Sequence, residues 1–149
     1  GTTVHNVELK VGQGGRMVAV ELITGQRAWE INIAGISTPW VVGDWVFVVT
    51  ERAQLLAIAR STGCIRWISQ LPRYRNENRR SGPIFWRGPV LAGGNLVLTA
   101  SNGQIAFVNP ASGALVSTQQ HNEGFSLPPV VANNVMYLLD DKGQLTAWR

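Results

Sequence analysis

The chain has 149 residues, 45% of them hydrophobic and 15% charged, so it is too apolar for a disordered segment and long enough to bury one core. No apolar run approaches the roughly 18 to 20 residues that cross a bilayer as a helix, and Gly1-Thr2-Thr3-Val4-His5 lacks the basic and apolar regions of a secretion signal. The net charge of +4 comes from 13 basic residues, 11 of them Arg, against 9 acidic ones, and it does not by itself argue for nucleic acid. The single cysteine, Cys64, excludes an internal disulfide and a Cys-rich metal site.

Sixteen Gly, seven Pro and many Val, Leu, Ile and Trp predict short strands joined by turns. In chain order, the first unit has Val7, Leu9 and Val11, then Met17-Val18-Ala19-Val20, then Thr24-Gly25 and Trp29. These fall, 38 residues on, upon Trp45, Phe47 and Val49, Leu55-Leu56-Ala57-Ile58, Thr62-Gly63 and Trp67. The second unit, Pro39 to Gly63, matches Pro89 to Gly113 without a gap at an offset of 50. A fourth copy, Pro129 to Trp148, matches Pro89 to Val108 at an offset of 40, with Gly143-Gln144 on Gly103-Gln104. The units cover approximately residues 1–35, 36–71, 87–120 and 125–149, with an insertion at 72–86, all within one domain.

Each unit predicts the same four elements. A short strand after Pro is reversed by Gly43-Asp44, Gly93-Gly94-Asn95 or Asn133-Asn134, and a longer apolar strand follows. After a second turn comes the Leu55-Leu56-Ala57-Ile58 type of strand, and the Thr-Gly or Ser-Gly pair then supplies a positive φ that reverses the chain into a fourth. Four-stranded meanders repeating about every 40 residues are the blades of a β-propeller, so the predicted fold is all-β, a partial propeller of about four antiparallel blades. Gly25, Gly63 and Gly113 are the turn glycines, and Trp29 and Trp67, four residues beyond the first two, are predicted to wedge between blades. The third unit has Ser117 where Trp is expected, so its junction should pack differently. The last unit stops at Trp148-Arg149, before any fourth strand. Four such units are too few to close a ring of blades, so two sheet faces should lie uncovered, and homo-oligomerisation or completion by another chain is expected.

The pattern Ala-x-x-x-x-Thr-Gly-x-x-x-Trp, present as Ala19 to Trp29 and Ala57 to Trp67, resembles the quinoprotein-type (PQQ-like) propeller repeat. Within that superfamily, Thr38 to Val48, Arg66 to Tyr74 and Leu127 to Asn134 resemble the outer-membrane protein assembly factor B (BamB) family, and the resemblance covers nearly the whole chain. It implies an eight-bladed parent more than twice this length, of which this is a C-terminal half lacking the lipid-bearing Cys and the main docking loops. It also implies a non-catalytic lipoprotein scaffold of the bacterial periplasm, associated with the outer membrane only through an anchor outside this chain. The implied partners are the outer-membrane β-barrel assembly (Bam) machinery and unfolded outer-membrane proteins, with no cofactor and no nucleic acid. Two other readings stay open: a fragment of a PQQ-dependent dehydrogenase, which would bind quinone and calcium, and a generic propeller interaction module.

The candidate binding residues lie in the longest interruption of the period, Pro72 to Arg87, where Arg73, Arg75, Arg79, Arg80 and Arg87 face one Glu77, with Tyr74, Phe85 and Trp86 interleaved. Arg with aromatics is the composition of interface hot spots; the competing reading is a solvated loop whose Trp86 packs back on the blade. Catalytic candidates are weak. His5 and His121 stand isolated from any partner at metal-ligand or triad spacing. Asp140-Asp141 reads as a turn cap, and Gly12-Gln13-Gly14-Gly15 lacks the Lys-Ser/Thr of a phosphate loop.

Overall fold

A computed structural model describes residues 7–12, 16–21, 24, 26–33 and 38–149. The described residues carry 16 strands and no helix. The first sheet is β1 (Val7–Gly12), β2 (Arg16–Glu21) and β3 (Arg27–Asn32), paired antiparallel in that order. The second is β4 (Trp40–Val42), β5 (Trp45–Val49), β6 (Gln54–Ala59) and β7 (Ile65–Gln70). A two-stranded hairpin, β8 (Tyr74–Asn76) and β9 (Ser81–Pro83), precedes the third sheet, β10 (Trp86–Ala92), β11 (Asn95–Ala100), β12 (Gln104–Val108) and β13 (Leu115–Gln120). The fourth is β14 (Val130–Ala132), β15 (Val135–Leu139) and β16 (Leu145–Trp148). The four larger sheets are sequential meanders: the second and third have the four strands expected of a blade, the fourth has the expected three, and the first has three among the described residues where four were expected, so the chain is an all-β partial propeller.

The turn chemistry explains the registers. Gly43, Gly93, Gly94, Asn133 and Asn134 have positive φ in the first turns, which suits the tight connections Val42↔Trp45, Ala92↔Asn95 and Ala132↔Val135. Gly63 and Gly113 both stand at φ +77 in the turns before β7 and β13. His5, Gly14, Gly15 and Gly25 lie outside the described residues.

The two middle blades are covered on both faces, which is why their central strands read as continuous apolar runs. On β5, Phe47 and Val49 point to the core shared with the third blade, while Val46 and Val48 point to the core shared with the first. On β11, Leu96, Leu98 and Ala100 face the second blade and Val97 faces the fourth. The fourth blade is covered on one side. Met136 and Leu138 are buried against the third blade, whereas Val130, Leu139 and Leu145, with Tyr137 between them, form an apolar surface open to solvent.

Candidate functional site

The junctions between blades are built on side chains that cross from one meander to the next. The ring of Trp29, on β3, lies over Gly63 of the second blade, and its Nε1 donates to the Arg60 carbonyl. Trp67, on β7, repeats this one blade on: its ring covers Gly113 and its Nε1 donates to the Pro110 carbonyl at 3.0 Å. In both, a Cβ on the glycine would come within 3 Å of the indole, so glycine serves the positive φ and the aromatic contact together.

The third junction is built otherwise. Ala19 pairs with Trp29 and Ala57 with Trp67, but in the third blade the large and small residues trade strands, and Phe107 pairs with Ser117. Phe107 meets Trp148 of the fourth blade with ring centroids 6.4 Å apart. The indole Nε1 of Trp148 is buried with no hydrogen-bond acceptor.

A second cluster joins the same two blades. His121 Nε2 lies 3.0 Å from Asp140 Oδ2, and the His121 ring stacks near Phe125. This corrects the expectation of an isolated histidine: the partner is 19 residues away in sequence and comes close only when the turn after β15 folds against the link after β13. Asp140 also caps its own turn, as expected, its Oδ1 accepting from the amides of Lys142 and Gln144. The hydrogen bond from His121, helped by these amides and opposed by burial, holds the Asp140 carboxyl below its ordinary 3.8. Ser126 Oγ donates to Asp141 Oδ1, and Lys142 pairs with Glu123. Among the described residues no three His, Cys, Asp or Glu converge as metal ligands.

The insertion at 72–86 is neither an open loop nor uniform. Glu77 Oε1 accepts from the amides of Arg73 and Tyr74, Asn76 Oδ1 accepts from Arg79 N, and Ile84 N donates to the Arg73 carbonyl, closing the β8–β9 hairpin. The Arg75 side chain packs over Gly82 and reaches the Ser101 carbonyl in the third blade. The Arg73 guanidinium lies over Tyr74, 5.2 Å from the ring centroid. Arg79 and Arg80 are exposed, and Phe85 is 46% exposed. Arg87 is on β10, its Nε donating to the Ser126 carbonyl.

Trp86 does not belong with these binding candidates. It begins β10, is 3% exposed in the core between the second and third blades, and donates from Nε1 to the Pro72 carbonyl. Its burial within the chain itself withdraws it from any partner. The hairpin was hidden from sequence reasoning because two three-residue strands leave too short an alternation to read. A pair of glutamines was also missed: Gln70 Nε2 reaches the carbonyls of Arg52, Ala53 and Leu71, and Gln120 Nε2 those of Asn102 and His121. They stand 50 residues apart, so the repeat offset was the signal that could have found them.

Comparison with known proteins agrees on one family. The model described as outer membrane protein assembly factor BamB matches residues 5–69 and 73–148. The BamB of Alkalilimnicola ehrlichii is 29% identical over 91% of this chain and 33% of its own length. That of Escherichia coli is 24% identical over 91% of the chain and 32% of its length. The chain thus spans about a third of the length of these curated relatives. Among solved structures, BamB from Moraxella catarrhalis superposes with a TM-score of 0.72 at 20% identity, over 96% of this chain and 46% of that one. The computationally designed Ika4 protein gives 0.74 at 13% identity, over 96% and 84%. At such identities these two likenesses speak for the fold.

Proposed function

The chain belongs to the outer membrane protein assembly factor BamB family, and on that premise we propose that it is part of a non-catalytic scaffold of the outer-membrane protein assembly machinery, working in the bacterial periplasm through protein–protein contacts. The match of the family model over 5–69 and 73–148 carries this reading. The structure supports it in kind: its exposed features are a basic hairpin and apolar sheet surface, which suit protein contact, while the cavity between the third and fourth blades is lined chiefly by side chains such as Val97, Phe107, Met136 and Trp148. Arg73, Tyr74, Arg75, Arg79 and Arg80 are the proposed partner-binding residues, and Trp29, Trp67, Gly63 and Gly113 the packing residues that hold the blades beneath them. The open face of the fourth blade is proposed to be covered by further blades of a longer chain or by a second copy.

Native purification of the tagged chain from cell envelopes tests the proposal. Recovery of a component of the assembly machinery in near-stoichiometric amount is expected. Failure to recover any, together with a rise in Tm on adding pyrroloquinoline quinone and calcium, would overturn it in favour of a dehydrogenase fragment, since a ligand bound by the native state raises its stability.

A further inference from the structure

The β8–β9 hairpin, the turn between β5 and β6 and the turn between β11 and β12 lie at one end of the blades. Leu71 N donates to the Ala53 carbonyl, Ser101 N to the Phe85 carbonyl, and Phe85 N to Ser101 Oγ, tying all three together. The hairpin and the β5–β6 turn bring Arg52, Arg73, Arg75, Arg79 and Arg80 against Glu51 and Glu77, so most of the chain's net charge of +4 is concentrated there.

The arginines divide by what they do. Arg73 lies over Tyr74 and Arg75 braces the hairpin against Ser101, so both have work within the fold. The side chains of Arg79 and Arg80 enter none of the ion pairs or hydrogen bonds among the described residues, although their backbone amides donate to Asn76 Oδ1 and the Glu77 carbonyl. Glu77, the one carboxylate of the hairpin, is turned inward to the amides of Arg73 and Tyr74. Arg80 has φ +50, a left-handed conformation that Ala53 of the adjacent β5–β6 turn, Asn133 and Asn134 also adopt, and it sets Arg80 at the exposed tip of the hairpin beside Arg79.

Deepening the scaffold reading, on which it rests, we propose that this hairpin is a docking finger for an acidic protein segment, held by the free guanidiniums of Arg79 and Arg80 with Tyr74 and Phe85 at the base of the finger. Guanidinium matches carboxylate in paired hydrogen bonds, and Arg beside exposed aromatics is the composition of protein interface centres. A phosphate-bearing surface calls for a broad basic face, which a finger of two three-residue strands does not offer.

The test is fluorescence anisotropy of the 149-residue chain with a labelled peptide of alternating Glu and Val, and with its Gln and Val counterpart. The Glu peptide is expected to bind, more weakly as salt rises, and the Gln peptide at least about tenfold more weakly. Arg79→Glu with Arg80→Glu is expected to weaken the Glu peptide at least about tenfold, while Arg66→Glu with Arg149→Glu, the same change of charge elsewhere, leaves it unaltered. If the first pair lowers Tm, Arg79→Gln with Arg80→Gln replaces it. Equal loss from both charge reversals, equal binding of the two peptides, or binding only to phosphatidylglycerol vesicles would overturn the proposal. Loss of the peptide result with the assembly machinery still recovered removes the finger alone; a peptide bound through Arg79 and Arg80 with no machinery recovered removes the scaffold reading and leaves the finger.

Discussion

The junction between the second and third blades and the junction between the third and fourth solve one packing problem in two ways. At the former, Trp67 lies over Gly113, donates to Pro110 and has Phe47 6.0 Å away between ring centroids. At the latter, Ser117 leaves the outer strand without a large ring, Phe107 fills from the neighbouring strand, and His121 with Asp140 and Gly124 tie the connecting segments. The difference teaches that the ring at a blade interface can come from either of two paired strands, and that the exchange is incomplete, since a cavity lined by Phe107 and Trp148 remains between the third and fourth blades.

The sharpest way to break the comparison is to remove the ring at the standard junction. Trp67→Ala, at a half-buried ring packed on the core between the blades, should cost about 2 to 3 kcal/mol in urea unfolding, at or below the low end of the range for truncating a large aromatic. A loss under about 1 kcal/mol would mean that Trp67 does not hold the blades. Next comes the glycine that admits the alternative junction: a Cβ on Gly124 would stand 2.1 Å from the Ser101 carbonyl oxygen, backbone against backbone. Gly124→Ala should therefore destabilise by roughly 2 kcal/mol, as overpacking does. Phe107→Ala, at a half-buried ring, should cost about 1 to 2 kcal/mol, and adding Ser117→Trp should recover part of it if the two strands are interchangeable donors of volume.

The smallest effect belongs to the His121–Asp140 hydrogen bond and is read by its pH dependence. Because Asp140 has a depressed folded value, its contribution is present above the ordinary carboxyl value of 3.8 and drains away as the pH falls through the folded one. Asp140→Asn should be less stable than the parent chain at neutral pH, and the gap should close on acidification beneath 3.8. No gap at neutral pH would show that turn capping alone, which Asn can imitate, accounts for the position, and a gap of constant size down to strong acid would show that the carboxylate charge does not.

The repeat was legible because its signals are local and recur. Gly-Asp, Gly-Gly and Asn-Asn turns, the Thr-Gly reversal and the runs flanking them each report on a few neighbouring residues, and their spacing gave the blades. What stayed hidden depends on distance in space. His121 and Asp140 carry no joint pattern in sequence, and Trp86 looks like one more aromatic in an Arg-rich loop until β10 is seen to begin there. Ser117 announced a different junction without naming Phe107 as its remedy, since volume compensation is a property of two paired strands.

Protein contact is proposed at the hairpin end of the blades and not at the opposite end, where Thr62 sits in the turn between β6 and β7. Photo-crosslinking in living cells, with benzoylphenylalanine replacing Arg79 in one variant and Thr62 in another, tests this most directly. Crosslinks from position 79 to a component of the outer-membrane assembly machinery are expected, and none above background from position 62. Crosslinks from position 62 with none from position 79 would contradict it.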